Sequence, residues 1–197
     1  MSKTFYINSD NSSLRMHECD TDEYWFYHKG SYSSDNPLLY QQIVDNATEE
    51  IIIWDPYFNV KLPHRDQNIF SNIQSDVTIK ILTCKGLNSS LTYLNEVKDA
   101  IKLVIPERKD CRFGLRVINN GDVTNQRDRF FHDRFLFIDN ADVYLIGSSV
   151  GYHLKSEKST GIFKVANSET KDFIISIFKY YWDNSAKHEI PVAYLHL

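Results

Sequence analysis

Apolar residues recur along the chain in two rhythms. Short runs rich in β-branched and aromatic residues, each of strand length, alternate with stretches whose apolar positions repeat every three or four residues. The first kind predicts strands at residues 4–8, 24–28, 50–55, 77–83, 111–118, 131–138, 143–146 and 162–165. The run "EIIIWD" at 50–55 is continuously apolar, as in a strand covered on both faces, and Pro56 ends it. The second kind predicts helices. Ser34 or Asp35 caps one, with Pro37 in its first turn and Leu38, Leu39, Ile43 and Val44 on one face. A helical pattern follows at 66–73, and Leu91, Leu94, Val97 and Ile101 share a face after the cap signals Asn88, Ser89 and Ser90. A long last helix starts near Glu169, capped by Ser168, with Phe173, Ile174, Ile177, Phe178 and Tyr181 inward.

Strand and helix alternate as far as the turn Asn119-Asn120-Gly121, after which two strands separated by Asp139-Asn140-Ala141-Asp142 read as a hairpin. The expected class is therefore α/β, a mixed β-sheet flanked by helices on both faces. No low-complexity linker or repeat interrupts the chain, so residues 1–197 are expected to form a single domain, with strands from 1–35 packing on it.

Composition narrows the partners more than the fold. A chain of 197 residues with 42% hydrophobic and 24% charged residues can bury one good core. The net charge of -4 argues against coating nucleic acid or an anionic membrane by bulk attraction. A local basic group remains open, since Arg112, Arg116, Arg127, Arg129, Arg134, Lys155, Lys158 and Lys164 concentrate in the second half. Cys19, Cys84 and Cys111 form no C-x-x-C pair, which suggests plain thiols in a reducing compartment. No apolar run reaches the roughly 20 residues of a membrane span, and the N-terminus lacks a secretory h-region. A cytoplasmic protein without membrane attachment is the expectation.

One stretch breaks the apolar pattern. In "FFHDRFLFID", three polar residues, His132, Asp133 and Arg134, abut the apolar run of a strand. Unpaired burial of charge costs several kcal/mol, so either a compensating network or a site is expected there. Strand alternation places His132 and Arg134 on one face, about 6–7 Å apart, and Asp133 on the other with Phe131 and Phe135. An imidazole and a guanidinium at that separation can both touch one phosphate.

The pattern continues as H-x-R-x-x-x-x-D, from His132 and Arg134 to Asp139, then a strand, then Gly147-Ser148-Ser149. This resembles the phospholipase D superfamily, whose signature is H-x-K, four residues, D, a short interval and G-S. The stretch "IIIWDPYFN" is similar to an early strand of bacterial members, and the order of elements extends the resemblance over residues 36–185. The sequence departs from the pattern in having Arg134 for Lys, Val150 where Asn is common, and Gly161 where single-motif nucleases carry Glu.

The resemblance implies a phosphodiesterase that requires no metal or other cofactor, and the cytosolic character, the lack of an amphipathic membrane helix and the basic cluster around the motif favour nucleic acid over phospholipid as its substrate. His132 would be the nucleophile that forms a phosphohistidine, with Arg134 on the phosphate. Such chemistry uses a second histidine as general acid. The chain holds one motif, so the resemblance implies a homodimer with one shared site. Ser148, Ser149, Lys155 and Glu157 are candidate supports, Asp139 is a structural anchor, and Tyr57, just past the end of a buried strand, lines the pocket. A role for Asp55 in capping is an equal reading of its position. The competing class is a weakened domain that binds phosphate or nucleic acid, or serves as a scaffold subunit of a larger assembly.

Overall fold

The computed structural model describes residues 4–8, 23–27, 43–58, 70, 73, 76–85, 112–119, 131–147, 160–184 and 194–196. The strands are β1 (Thr4–Asn8), β2 (Glu23–Tyr27), β3 (Glu50–Trp54), β4 (Thr78–Lys85), β5 (Arg112–Asn119), β6 (Phe135–Ile138), β7 (Asp142–Ile146), β8 (Thr160–Lys164) and β9 (Tyr194–His196). They form one mixed sheet in the order β1-β2-β8-β7-β6-β3-β4-β5-β9. β3, β4 and β5 run parallel; β6 turns back antiparallel to β3, and β7 and β8 continue the meander. The first two strands join the same sheet through the antiparallel pairing of β2 with β8.

Strand alternation divides the core between the two faces. Ile51 and Ile53 of β3, Ile79 and Ile81 of β4, Phe113, Leu115 and Val117 of β5, and Leu136 and Ile138 of β6 fill one face, all buried. Helical residues 43–45 and Ala47 close over that face, with Phe58, Phe70 and Ile73. On the other face Ile52, Trp54, Leu82, Phe137 and Val143 meet Ile175 and Phe178 of the long helix α1 (Ser168–Asn184). Burying one such large side chain is worth about 1.5–3 kcal/mol, whereas a partly exposed pair such as Lys164 with Asp142, 2.9 Å apart, contributes under about 1 kcal/mol. The apolar double face therefore sets the fold. Among the described residues only α1 is a long helix, and it covers one face; most of the helices expected at 66–73 and around 91–101 lie outside the described residues.

Three differences from the sequence expectation have physical causes. First, β6 begins at Phe135 instead of residue 131. Its partner β3 ends at Trp54, which pairs with Phe135, and Asp55-Pro56 then turns away, so residues 131–134 lose the ladder on that side. Second, α1 is capped by Asn167 and not by Ser168: the Asn167 side-chain carbonyl accepts the Thr170 N–H at 2.8 Å. Third, β9 pairs antiparallel with β5 at the sheet edge, although its three residues carry too short a pattern to stand out in the sequence.

Candidate active site

The strand register collects the polar residues at one edge. β6 is antiparallel to β3, so the start of β6 lies beside the end of β3, and the Trp54 and Phe135 pair places Asp55 next to Arg134. β7 ends at the same edge: the Ile146 N–H donates to the Arg134 carbonyl at 2.9 Å, and the Gly147 N–H to the Gly161 carbonyl at 2.9 Å. On the far side of β3 the Asp55 N–H reaches the Leu82 carbonyl at 2.9 Å, which brings up Thr83 of β4. The edge is thus the carboxyl end of the parallel strands, where open α/β sheets place their sites.

Asp55 organises this edge. It is fully buried, and its Oδ1 accepts the Tyr57 N–H at 2.8 Å, an Asx turn that fixes the chain leaving β3. The same oxygen stands 3.7 Å from Nε of Arg134. The Arg134 guanidinium carbon lies 4.7 Å over the Tyr57 ring, and an Arg134 terminal nitrogen reaches the Gly147 carbonyl at 3.4 Å. Asp55 therefore both caps the turn and neutralises a half-buried cation. Two buried polar atoms at this edge, Arg134 Nε and Thr83 Oγ1, make no hydrogen bond among the described residues.

His132 stands exposed, with Nδ1 held 3.0 Å from the Tyr57 hydroxyl. Asp133 is also exposed, while Phe131 turns inward and packs edge-on against Trp54 at 5.3 Å. The imidazole therefore sits on a short connection pinned on one side by an aromatic anchor and on the other by β6.

Asp139 occupies the opposite end of β6, in the hairpin to β7, away from His132. Both it and Asn140 have positive φ, 54° and 52°, a left-handed conformation that Asp and Asn tolerate. Its carboxylate accepts the backbone N–H groups of Thr48 (2.9 Å), Glu49 (2.8 Å) and Glu50 (2.9 Å) and the Thr48 hydroxyl (2.8 Å). Burial pushes the carboxyl pKa up, but the backbone hydrogen bonds from Glu50, Thr48 and Glu49 and that from the Thr48 hydroxyl outweigh it and hold the pKa below its ordinary value. Asp139 ties the hairpin to the entry of β3, a role set by residues about 90 positions away.

The basic residues do not converge here among the described ones. Arg112 opens β5 at the opposite edge, Arg116 donates to the Trp182 carbonyl and stacks 4.7 Å over its ring, and Lys164 pairs with Asp142. Arg134 is the described cation at the site. Ser148, Ser149, Lys155, Glu157, Arg127, Arg129 and Lys158 lie outside the described residues. Asp55 as partner of Arg134, and Thr83 beside it, were not singled out as such from the sequence; the available signal was a polar residue closing each of two adjacent apolar strands.

Replacing Asp55 with Asn keeps the shape and an acceptor for the Tyr57 N–H but strips the counter-charge from Arg134. The expected cost is about 1–3 kcal/mol, read by chemical denaturation, and an unchanged midpoint would show that Arg134 is balanced by other groups.

No protein-family model and no curated protein sequence matches the chain. Solved structures do. Nuc from Salmonella typhimurium, a phospholipase D family member, superposes with a TM-score of 0.52 at 14% identity, covering 89% of this chain and 99% of Nuc. NucT from Helicobacter pylori gives 0.46 at 12% identity over 86% of this chain and 99% of NucT. TrmBL2, an archaeal chromatin protein, gives 0.44 at 18% identity; 84% of this chain is covered, and it spans 53% of TrmBL2. The chain has a phospholipase D-like fold. Among the described residues, no helix is long and apolar enough to cross a membrane.

Proposed function

We propose that the protein is a metal-independent phosphodiesterase, a nuclease, that works through a phosphohistidine on His132 in a site shared by two copies of the chain. What supports this most is one observation. The exposed His132, Arg134 and Gly147, the first residue of the Gly-Ser-Ser sequence, all lie at the carboxyl edge of β3, in the fold of a phospholipase D family member. In this reading Nε2 of His132 attacks phosphorus and forms an N–P bond as the P–O bond to the leaving group breaks. The departing oxygen takes a proton from the imidazolium of the second copy's His132. Water then attacks phosphorus and breaks the N–P bond, and the now neutral second imidazole accepts the proton released. Arg134 offers charge to the phosphate from a position fixed by Asp55 and Tyr57.

A second reading has its own observation. The Arg134 guanidinium is already engaged by Asp55, the Tyr57 ring and the Gly147 carbonyl, and the His132 partner is a neutral phenol. Both suit a domain that binds phosphate or nucleic acid without cleaving it, or a scaffold subunit of a larger assembly.

One experiment separates the two. Purified protein is incubated with single- and double-stranded DNA and RNA in excess EDTA, alongside light scattering. The nuclease reading expects cleavage with EDTA present and a dimeric mass. Retention without cleavage would support the binding reading, and cleavage only with added Mg²⁺, or by a strict monomer, would refute the shared-histidine mechanism.

A further inference from the structure

We infer that Tyr57 is the positioning residue of His132, selecting Nε2 as the reacting nitrogen. The inference rests on the phosphodiesterase reading for its kinetic consequence, but on geometry for its core. The Tyr57 hydroxyl lies 3.0 Å from Nδ1 of His132, and the two rings are 6.4 Å apart at 42°. A histidine uses the nitrogen that is left over when its other nitrogen is hydrogen-bonded, and that bond also sets the tautomer. With Nδ1–H donating to the phenol oxygen, the lone pair resides on Nε2, and Nε2 is the atom that forms the N–P bond.

The tyrosine is itself over-determined. Its N–H donates to Oδ1 of buried Asp55 at 2.8 Å, the Phe58 N–H closes the same turn onto the Asp55 carbonyl at 3.2 Å, and the Arg134 guanidinium covers its ring at 4.7 Å. Asp55, Arg134 and Tyr57 thus form a frame whose outward end is the imidazole. Each member has a different expected role in the sequence, a cap, a phosphate ligand and a pocket wall, yet in the fold they form one chain of contacts.

A phenol differs from a carboxylate in this position. It carries no charge, and it both donates and accepts. As acceptor from Nδ1–H it serves the neutral nucleophile and the imidazolium equally, the states in which the two histidines of a shared pair begin the reaction. The inverted arrangement, with the phenol donating to Nδ1, places the proton on Nε2 and closes the nucleophile.

Tyr57→Phe tests this, because the ring stays beneath Arg134 and only the hydroxyl is lost. The ¹⁵N chemical shifts of the His132 ring are read by NMR in the intact protein, at a pH where the imidazole is neutral. The wild-type ring is expected in the Nδ1–H form, and the variant is expected to move at least about threefold toward the Nε2–H form, with backbone amides away from the site unchanged. In single-stranded DNA cleavage, kcat should fall about 10- to 100-fold while KM stays within about twofold. Identical ring-nitrogen shifts in the two proteins, or an Nε2–H form in the wild type, would overturn the assignment. So would a kcat that does not change. A variant-dependent ring shift in a protein that cleaves nothing would leave Tyr57 as the partner of His132 and refute the nuclease reading alone.

Discussion

His132→Ala is expected to lower metal-free phosphodiester cleavage by at least about 10³-fold, a loss of about 4 kcal/mol of transition-state stabilisation. The same change should barely alter stability. His132 is exposed and its hydrogen bond to Tyr57 is the contact given up, so the cost is within about 0.5 kcal/mol, and the melting temperature should move by no more than about 2 °C. That dissociation of rate from stability is what separates a reacting group from a packing one. Phe131, next in sequence, should behave in the opposite way: it is buried against Trp54 and Tyr181, so truncating it would be felt first in stability. Residual cleavage above about one-tenth of wild type in His132→Ala would remove the histidine from the chemistry.

Asp139→Ala carries the second large effect, and it falls on stability. The carboxylate satisfies three consecutive backbone N–H groups and a hydroxyl across the hairpin, and charge-assisted hydrogen bonds are worth more than neutral ones. Alanine loses all of them and must also hold a φ of 54°, a conformation that costs a non-glycine residue about 1 kcal/mol. Because Thr48 and Glu49 are exposed, water recovers part of the loss. The net cost is about 3 kcal/mol, or about 6–12 °C in melting temperature for a chain of this size. Asp139→Asn keeps the tolerance of positive φ and one acceptor, and should cost about half as much. The pH dependence follows from the lowered pKa. A group whose folded pKa lies below its unfolded one contributes fully above the unfolded value and loses its contribution as pH falls through the folded one. Acid unfolding of the wild type should therefore include a component that Asp139→Asn lacks. Equal stabilities of the wild type and Asp139→Ala at neutral pH would contradict the anchor.

Some of this architecture was legible in the sequence because it depends on local pattern. "EIIIWD" reads as a doubly covered strand because Ile51 and Ile53 fill one core and Ile52 and Trp54 the other, so no polar position is available along it. The hairpin at Asp139 and Asn140 is legible because those residue types accept positive φ. The start of β6 was not, since Phe131 has the apolar character of a strand residue and only the end of β3 at Trp54 decides where pairing stops. The expected cap of α1, Ser168, gives way to Asn167 for a similar reason: both residue types cap well, and the backbone path chooses between them. At the site, the sequence singles out His132 and Arg134 through their spacing within one segment. It does not bind Tyr57 to His132, 75 residues apart, or Asp139 to Thr48, 91 apart, because side-chain contacts across strands have no periodic signature. His132 and Arg134 do not share one face as strand alternation expects, because residues 131–134 lie before β6. Arg134 turns inward to Asp55 while His132 faces solvent, and it is the buried carboxylate that creates the difference.

A covalent phosphoryl group on His132 can be caught by trapping. Wild-type protein is mixed with DNA or RNA labelled at the scissile phosphate, in EDTA, and quenched in alkali before turnover is complete. Label is expected on the peptide that contains His132, stable to base and lost in mild acid as a phosphoramidate is, and absent from His132→Ala. Cleavage that leaves no label on the protein, or label that survives acid on a hydroxyl side chain, would contradict a phosphohistidine on His132.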